Sequence, residues 1–301
     1  MKNILFYKYV QMSDLESFKA KHLELCNRLD LKGRVLIAEE GINGNLSGED
    51  TATEKYKEEM RKDPRFSDLE FKEGFTDEHD FKKIIVKIKK EIITSRFGVD
   101  VQDKGTYIEP EELKKLYESG EEFFIIDARN DYEVKIGKFK NAINPDIRTF
   151  SQFPKAVEKL EHLKEKKVVT YCTGGIRCEK ASAYLKKAGF KNVYQVHGGI
   201  LNYGKECSNE NWEGKCFVFD SRGAVELDPN KQTEPISQCT SCAIPCDDCT
   251  NCANLKCDER IILCEQCIKA LNNCCSKRCR NEMAKNPELA NPDIIKQTVQ
   301  V

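Results

Sequence analysis

Along residues 1–90 the apolar positions switch between a two-residue and a 3.6-residue period, and each switch marks an element boundary. Residues 4–9, 33–38 and 43–47 read as strands and residues 14–29 and 51–62 as helices, with shorter strands at 69–71 and 81–89. Strand, helix, strand, strand, helix, strand is the order of a ferredoxin-like sandwich, and the last run adds an extra strand. In the first helix Leu15, Phe18, His22, Leu25 and Leu29 share a face, so His22 belongs to the core or its rim rather than to catalysis. Ser13 and Glu16 have the spacing of a capping box. Near residue 85, Ile84, Val86 and Ile88 alternate with Ile85, Lys87 and Lys89, whose cationic side is expected to be a solvated sheet face ahead of an RNA contact.

After a linker at residues 98–105 the rhythm becomes strand then helix. Pro110 opens a helix running to Tyr117. Residues 123–127 and 168–171 are short apolar runs of the kind buried on both faces of a parallel sheet; a helix over 178–188 and a strand over 193–196 follow. The chain is therefore expected to be an α/β multidomain protein: a ferredoxin-like domain over 1–95, a parallel α/β domain over 106–220 with its core at about 119–213, a cysteine-rich module over 236–282, and a polar, loose end over 283–301.

Composition narrows the functions. A charged fraction of 33 % with 40 % hydrophobic residues is that of a folded globular chain. The formal net charge of −1 argues against a polyanion-binding surface over the whole molecule, so an RNA site must be a local patch, and DNA is not an expected partner. No apolar run is long enough to span a bilayer and no export pattern opens the chain, so the expected location is the cytoplasm, with no membrane partner. Sixteen cysteines then point to chemistry or metal rather than a disulfide framework.

One cysteine is set apart by its context. The strand at 168–171 runs directly into Cys172, followed by Thr173, Gly174, Gly175, Ile176, Arg177 and Cys178, with a helix starting near Arg177. Adjacent glycines let backbone N–H groups turn toward one centre, and the helix N-terminus and Arg177 add positive potential. A thiolate is favoured there, which makes Cys172 the candidate nucleophile. Cys178 reads equally as packing or as a resolving thiol.

Cys172, Gly175 and Arg177 match the active-site motif of the rhodanese superfamily, and the chain resembles it also at Asp127-Ala128-Arg129 and at residues 137–144, although Lys138 stands where many members carry histidine. The resemblance implies a supporting acidic and basic pair in Asp127 and Arg129. It also implies sulfur rather than phosphate chemistry, because related dual-specificity phosphatases have one more residue in the loop. A closer resemblance rests on residues 33–44, 171–180, 197–203 and 214–220, which are similar to the oxygen-dependent tRNA uridine(34) hydroxylase family. It implies an acylphosphatase-type ferredoxin-like domain followed by a rhodanese-like domain. The implied activity is hydroxylation of the wobble uridine of tRNA to 5-hydroxyuridine, with molecular oxygen as co-substrate and the loop cysteine required.

Two chemical routes stay open: addition of the thiolate to C6 of uridine, which makes C5 nucleophilic, or a persulfide or sulfenate on Cys172. No dinucleotide, haem or two-histidine-one-carboxylate pattern is evident, and His22, His79, His162 and His197 are scattered, so no redox cofactor is assigned. Eleven cysteines fall between Cys239 and Cys279. Their spacing fits about two structural zinc ions, one on Cys239, Cys242, Cys264 and Cys267 and the other on Cys252, Cys257, Cys275 and Cys279. Cys246, Cys249 and Cys274 are left over, for which an iron–sulfur cluster or disulfides remain alternatives. Beside the tRNA-modifying reading stand a sulfurtransferase working through a Cys172 persulfide and a non-catalytic zinc-bearing RNA-binding protein; the oligomeric state is unknown.

Overall fold

The computed structural model describes residues 1–295. The amino-terminal domain is built from β1 (Lys2–Tyr9), α1 (Leu15–Arg28), β2 (Lys32–Ala38), β3 (Gly41–Gly48), α2 (Asp50–Arg61), β4 (Lys72–Phe75) and β5 (Ile84–Ile88). Its sheet runs β4-β1-β3-β2-β5, antiparallel except that β5 joins β2 in parallel. That is the ferredoxin-like order with one strand added. Ile4, Phe6, Val35, Ile37 and Leu46 point from the sheet into a core closed by Tyr56 and Met60 of α2 and by His22 and Cys26 of α1. His22 is buried against the Tyr56 hydroxyl, and burial pulls its pKa down to about 4, so it stays neutral in the core.

Two local expectations are corrected. Ser13 forms no capping box; the N-cap of α1 is Asp14, whose carboxylate is taken by Arg65. The strand expected at 69–71 begins at Lys72, because Leu69 and Phe71 turn into the core instead.

The central domain contains β6 (Thr106–Ile108), α3 (Pro110–Ser119), β7 (Phe124–Asp127), α4 (Asp131–Ile136), β8 (Gly137–Phe139), α5 (Phe153–Val157), β9 (Lys167–Tyr171), α6 (Ile176–Lys187), β10 (Asn192–Val196) and α7 (Gly199–Cys207). Strands β6, β10, β9 and β7 form a parallel sheet in that order. Neighbouring residues face opposite clusters: Ile126, Val168 and Val193 pack with Leu185 and Phe153, and Ile125, Val169 and Val196 with Leu113 and Tyr203. The sheet is thus covered on both sides, as its continuous apolar runs require. Ile93 and Phe97, ahead of the expected linker, already pack on this domain, Phe97 lying edge-on to Phe150 and Tyr184.

The chain continues through β11 (Trp212–Gly214), β12 (Cys216–Phe217) and β13 (Ala224–Val225) into a hairpin of β14 (Cys249–Asn251) and β15 (Arg260–Ile262), then α8 (Glu265–Leu271), α9 (Lys277–Lys285) and α10 (Pro292–Ile295). The loose end expected from residue 283 is corrected over 283–294. Helix α9 runs through Lys285, the Asn291 N–H bonds the Ala253 carbonyl at 2.8 Å, and Ala290 and Ile294 pack on the last cysteine cluster. Residues 296–301 of that expected end lie outside the described residues. Among the described residues no helix is long and apolar enough to cross a membrane.

Candidate active site and metal centres

Cys172 follows the last residue of β9 and is fully buried. Gly175 takes a φ of +99°, which only glycine adopts freely, and this turns its N–H onto the Cys172 sulfur at 3.2 Å. Helix α6 starts at the next residue, so its positive end faces the thiol. The N-terminus of α7 closes the loop from the other side: the N–H groups of Ile200 and Leu201 bond the carbonyls of Cys172 and Thr173 at 2.9 and 3.1 Å.

Burial pushes the Cys172 thiol up, but a hydrogen bond from the Cys178 thiol, the charge of Arg177 and the N–H groups of Cys178 and Arg177 outweigh it and bring it down to about 6. Burial and the neighbouring Cys172 charge hold Cys178 in its protonated form. The sequence left Cys178 open; in the structure it stands as a neutral donor to a thiolate.

Arg177 does not point freely at the loop. Its two terminal nitrogens grip Glu133 at 2.6 and 2.8 Å, and Nη2 lies 3.4 Å from the Thr173 hydroxyl. Burial opposes the charge on Glu133, but Arg177 keeps its pKa below the usual carboxylate range. Sequence reasoning missed Glu133. The available signal was its place three residues after Asn130, a capping box that does form here, with Glu133 Oε1 accepting from the Asn130 N–H. Asp127 and Arg129 form a second, fully buried ion pair at 2.7 Å, and Arg129 also bonds the Gly137 carbonyl at 2.6 Å. Arg129 lies over Tyr171 and Trp212, so the pair ties β7 to β8 beneath the loop.

The open face of the amino-terminal sheet covers this loop, a feature that no local pattern announced. A Cβ on Gly174 would lie 2.9 Å from Leu5 Cδ2, and one on Gly175 would lie 2.8 Å from the Tyr7 hydroxyl. Helix α6 carries the anchors. Glu179 accepts from Tyr7 at 3.1 Å and Tyr107 at 2.7 Å, and Lys180, buried, reaches Glu40 and Glu91 at 2.9 and 2.8 Å. Cys172 therefore sits at an interface between two domains.

Iodoacetamide labelling of Cys172, read by peptide mass spectrometry, should be half-maximal near pH 6 rather than near the ordinary thiol value of about 8.5. Arg177→Ala should slow labelling more than Cys178→Ala. It removes the charge and also strands Glu133 as a buried anion, at a cost of about 3–5 kcal/mol, whereas Cys178→Ala removes one donor. Equal or reversed effects on labelling would show that the Cys178 donor rather than the Arg177 charge sets the acidity of Cys172, while equal or reversed losses of activity in the two variants would point to a Cys172/Cys178 redox pair.

In the tail, the structure brings together two sets of four thiols, Cys239, Cys242, Cys264 and Cys267 in one and Cys252, Cys257, Cys275 and Cys279 in the other, with all sulfurs of a set within 4.8 Å of one another. Sulfur separations of 3.6 Å for Cys242 and Cys264, 3.7 Å for Cys257 and Cys275, and 3.4 Å for Cys275 and Cys279 are close to the roughly 3.8 Å edge of a tetrahedron with about 2.3 Å metal–sulfur bonds. Both sets can hold a metal ion. None of the sixteen cysteines is joined in a disulfide. Cys246, Cys249 and Cys274 join neither set; Cys246 faces Asp248 and Cys274 the Asn272 carbonyl.

Comparison with known proteins matches residues 1–92 to the UPF0176 acylphosphatase like domain, residues 109–206 to the Rhodanese-like domain, and residues 213–280 to the model described as Rhodanase C-terminal. A tRNA uridine(34) hydroxylase of Bacillus cytotoxicus is 42 % identical over 97 % of this chain and 92 % of its own length. Proteins of that name from Cytophaga hutchinsonii and Bacillus mycoides are 42 % and 44 % identical, over 94 % and 92 % of this chain and 91 % and 88 % of their own. With three domain models in sequence and relatives of this identity along nearly its whole length, the chain belongs to the tRNA uridine(34) hydroxylase family.

Proposed function

We propose that this protein hydroxylates C5 of the wobble uridine of tRNA with molecular oxygen as co-substrate and Cys172 as the required nucleophile. The observation that carries this reading is the Cys172 thiol, lowered to about 6 at the junction of β9 and α6 in a chain of this family. A soft thiolate adds to C6 of a uracil ring and the displaced electron pair makes C5 nucleophilic; C5 takes up one oxygen atom of O2, the other leaves as water with two electrons and two protons from an external two-electron reductant, and loss of the thiolate with the remaining C5 proton restores the ring. Cys178, holding its proton, donates to the sulfur before addition and again as it leaves. The two tail sets hold zinc, whose preference for four thiolates matches both, and their role is structural. The substrate is met in the cytoplasm through a local patch, in keeping with a net charge of −1.

Nucleoside analysis of tRNA from cells lacking and then regaining the gene, grown with and without oxygen, tests the reading. Nucleosides derived from 5-hydroxyuridine should disappear with the gene and return with it in air only. Unchanged levels would favour a sulfurtransferase acting through a Cys172 persulfide.

A further inference from the structure

The sheet face that covers the Cys172 loop carries a polar row that the chemistry at Cys172 does not use. Leu5 pairs with Lys72 on β4 and with Asn45 on β3, and Asn45 pairs with Arg34 on β2. Residues opposite one another in antiparallel strands share a face, so Lys72, Leu5, Asn45 and Arg34 form one line across the sheet. Leu5 locates that line, since its Cδ2 is the atom that a Cβ on Gly174 would strike. The neighbouring row contains Tyr7, which meets Gly175, and Asn43, whose amide is spent on the Ile92 carbonyl. Asn45 is different: its Oδ1 is buried and accepts no hydrogen bond. A buried amide oxygen without a donor is costly, and a ligand supplying an N–H would recover that cost.

Neither cation of the row is neutralised by a carboxylate. Lys72 stands over the Tyr7 ring at 5.4 Å, and neither Lys72 nor Arg34 forms an ion pair among the described residues. Burial pushes the Lys72 ammonium down, while Glu70, Cys172 and Glu179 push it back up, which agrees with a place beside the loop. The imide edge of uracil offers an N3–H donor beside carbonyl acceptors, and an asparagine amide offers the complementary acceptor and donor. Reading a base on that edge while it is held for chemistry is how enzymes acting on unstacked bases select it.

We propose that Asn45 reads the imide edge of the uridine presented to Cys172, and that Lys72 and Arg34 on either side of it hold the flanking phosphates. This rests on the uridine-hydroxylase reading above. The test uses anticodon stem-loop RNAs with uridine or N3-methyluridine at position 34, with turnover measured on the wild-type chain and binding on the Cys172→Ser chain as host.

Asn45→Ala should lower kcat/KM on uridine about 10- to 100-fold, a bidentate base contact being of that size, and leave the salt dependence of binding unchanged. Methylation at N3 should harm the wild type but add little to the loss in Asn45→Ala, because both remove the same contact. Lys72→Met and Arg34→Met should weaken both RNAs alike and reduce the salt slope by about one each. Additive losses from Asn45→Ala and N3-methylation, in turnover or in binding, would overturn the assignment of Asn45, and an unchanged salt slope in both cation variants would overturn the phosphate contacts. If the wild type makes no 5-hydroxyuridine, the hydroxylase reading fails, and binding in the Cys172→Ser host still decides whether Asn45 reads the imide.

Discussion

Cys172→Ser should reduce 5-hydroxyuridine formation by about 10³-fold or more while leaving the fold intact, as removal of a covalent nucleophile commonly does. Serine is close in size to cysteine, and the site is fully buried, so the packing of β9 against α6 is preserved. What changes is the acid. The Cys178 thiol, the charge of Arg177 and the N–H groups of Cys178 and Arg177 act together against burial to bring a thiol to about 6. An aliphatic hydroxyl starts so far above this range that the same contacts leave it protonated at neutral pH. The oxygen is also the harder, weaker nucleophile toward C6 of an enone-like ring. Thermal unfolding and circular dichroism should match the wild type, and a pure, folded Cys172→Ser protein that still hydroxylates would sink the mechanism.

The parts legible in the sequence were those written in local periodicity or spacing. The ferredoxin-like order came from the alternation of strands and amphipathic helices. The parallel sheet came from apolar runs such as residues 168–171, and the two sets of four cysteines came from spacing alone. The parts that stayed hidden are contacts between distant segments. Glu133 is 44 residues from Arg177, and Tyr7 is 172 residues from Glu179. No periodicity records that a sheet face will lie on a glycine pair far along the chain. Gly174 was read as one of two glycines that let backbone N–H groups turn toward the sulfur, whereas in the fold its missing Cβ is also what lets Leu5 come close. The tail end at 286–294 was read from its polarity as loose, yet its backbone is held by bonds to Ala253 and Leu255 that composition does not encode.

Removing metal should have the widest effect of any single perturbation, since a structural zinc on four thiolates contributes on the order of 10 kcal/mol. The purified protein should contain about two equivalents of zinc, as expected of two four-thiol sets. Between residues 239 and 285 the large buried apolar side chains other than cysteine are Ile261, Ile262, Leu263, Leu271 and Met283, too few to order that length of chain without the ions. Chelation should therefore make residues 239–279 sensitive to protease. The consequence should reach further, because the cluster containing Cys239, Cys246, Cys264 and Leu271 also contains Ile136 of α4 and packs against Tyr132. Arg260 of β15 lies over both Tyr132 and Phe217, at 5.2 and 5.1 Å. Helix α4 carries Glu133 between Tyr132 and Ile136, so loosening its outer face frees the carboxylate that holds Arg177. The rest of the central sheet should stay folded, yet Cys172 labelling should need a higher pH after chelation, as the field at the sulfur weakens. A metal-free preparation with a protease-resistant tail would refute the zinc assignment. A chelated protein with an unfolded tail and an unchanged labelling profile would show that α4 holds Glu133 without support from the module.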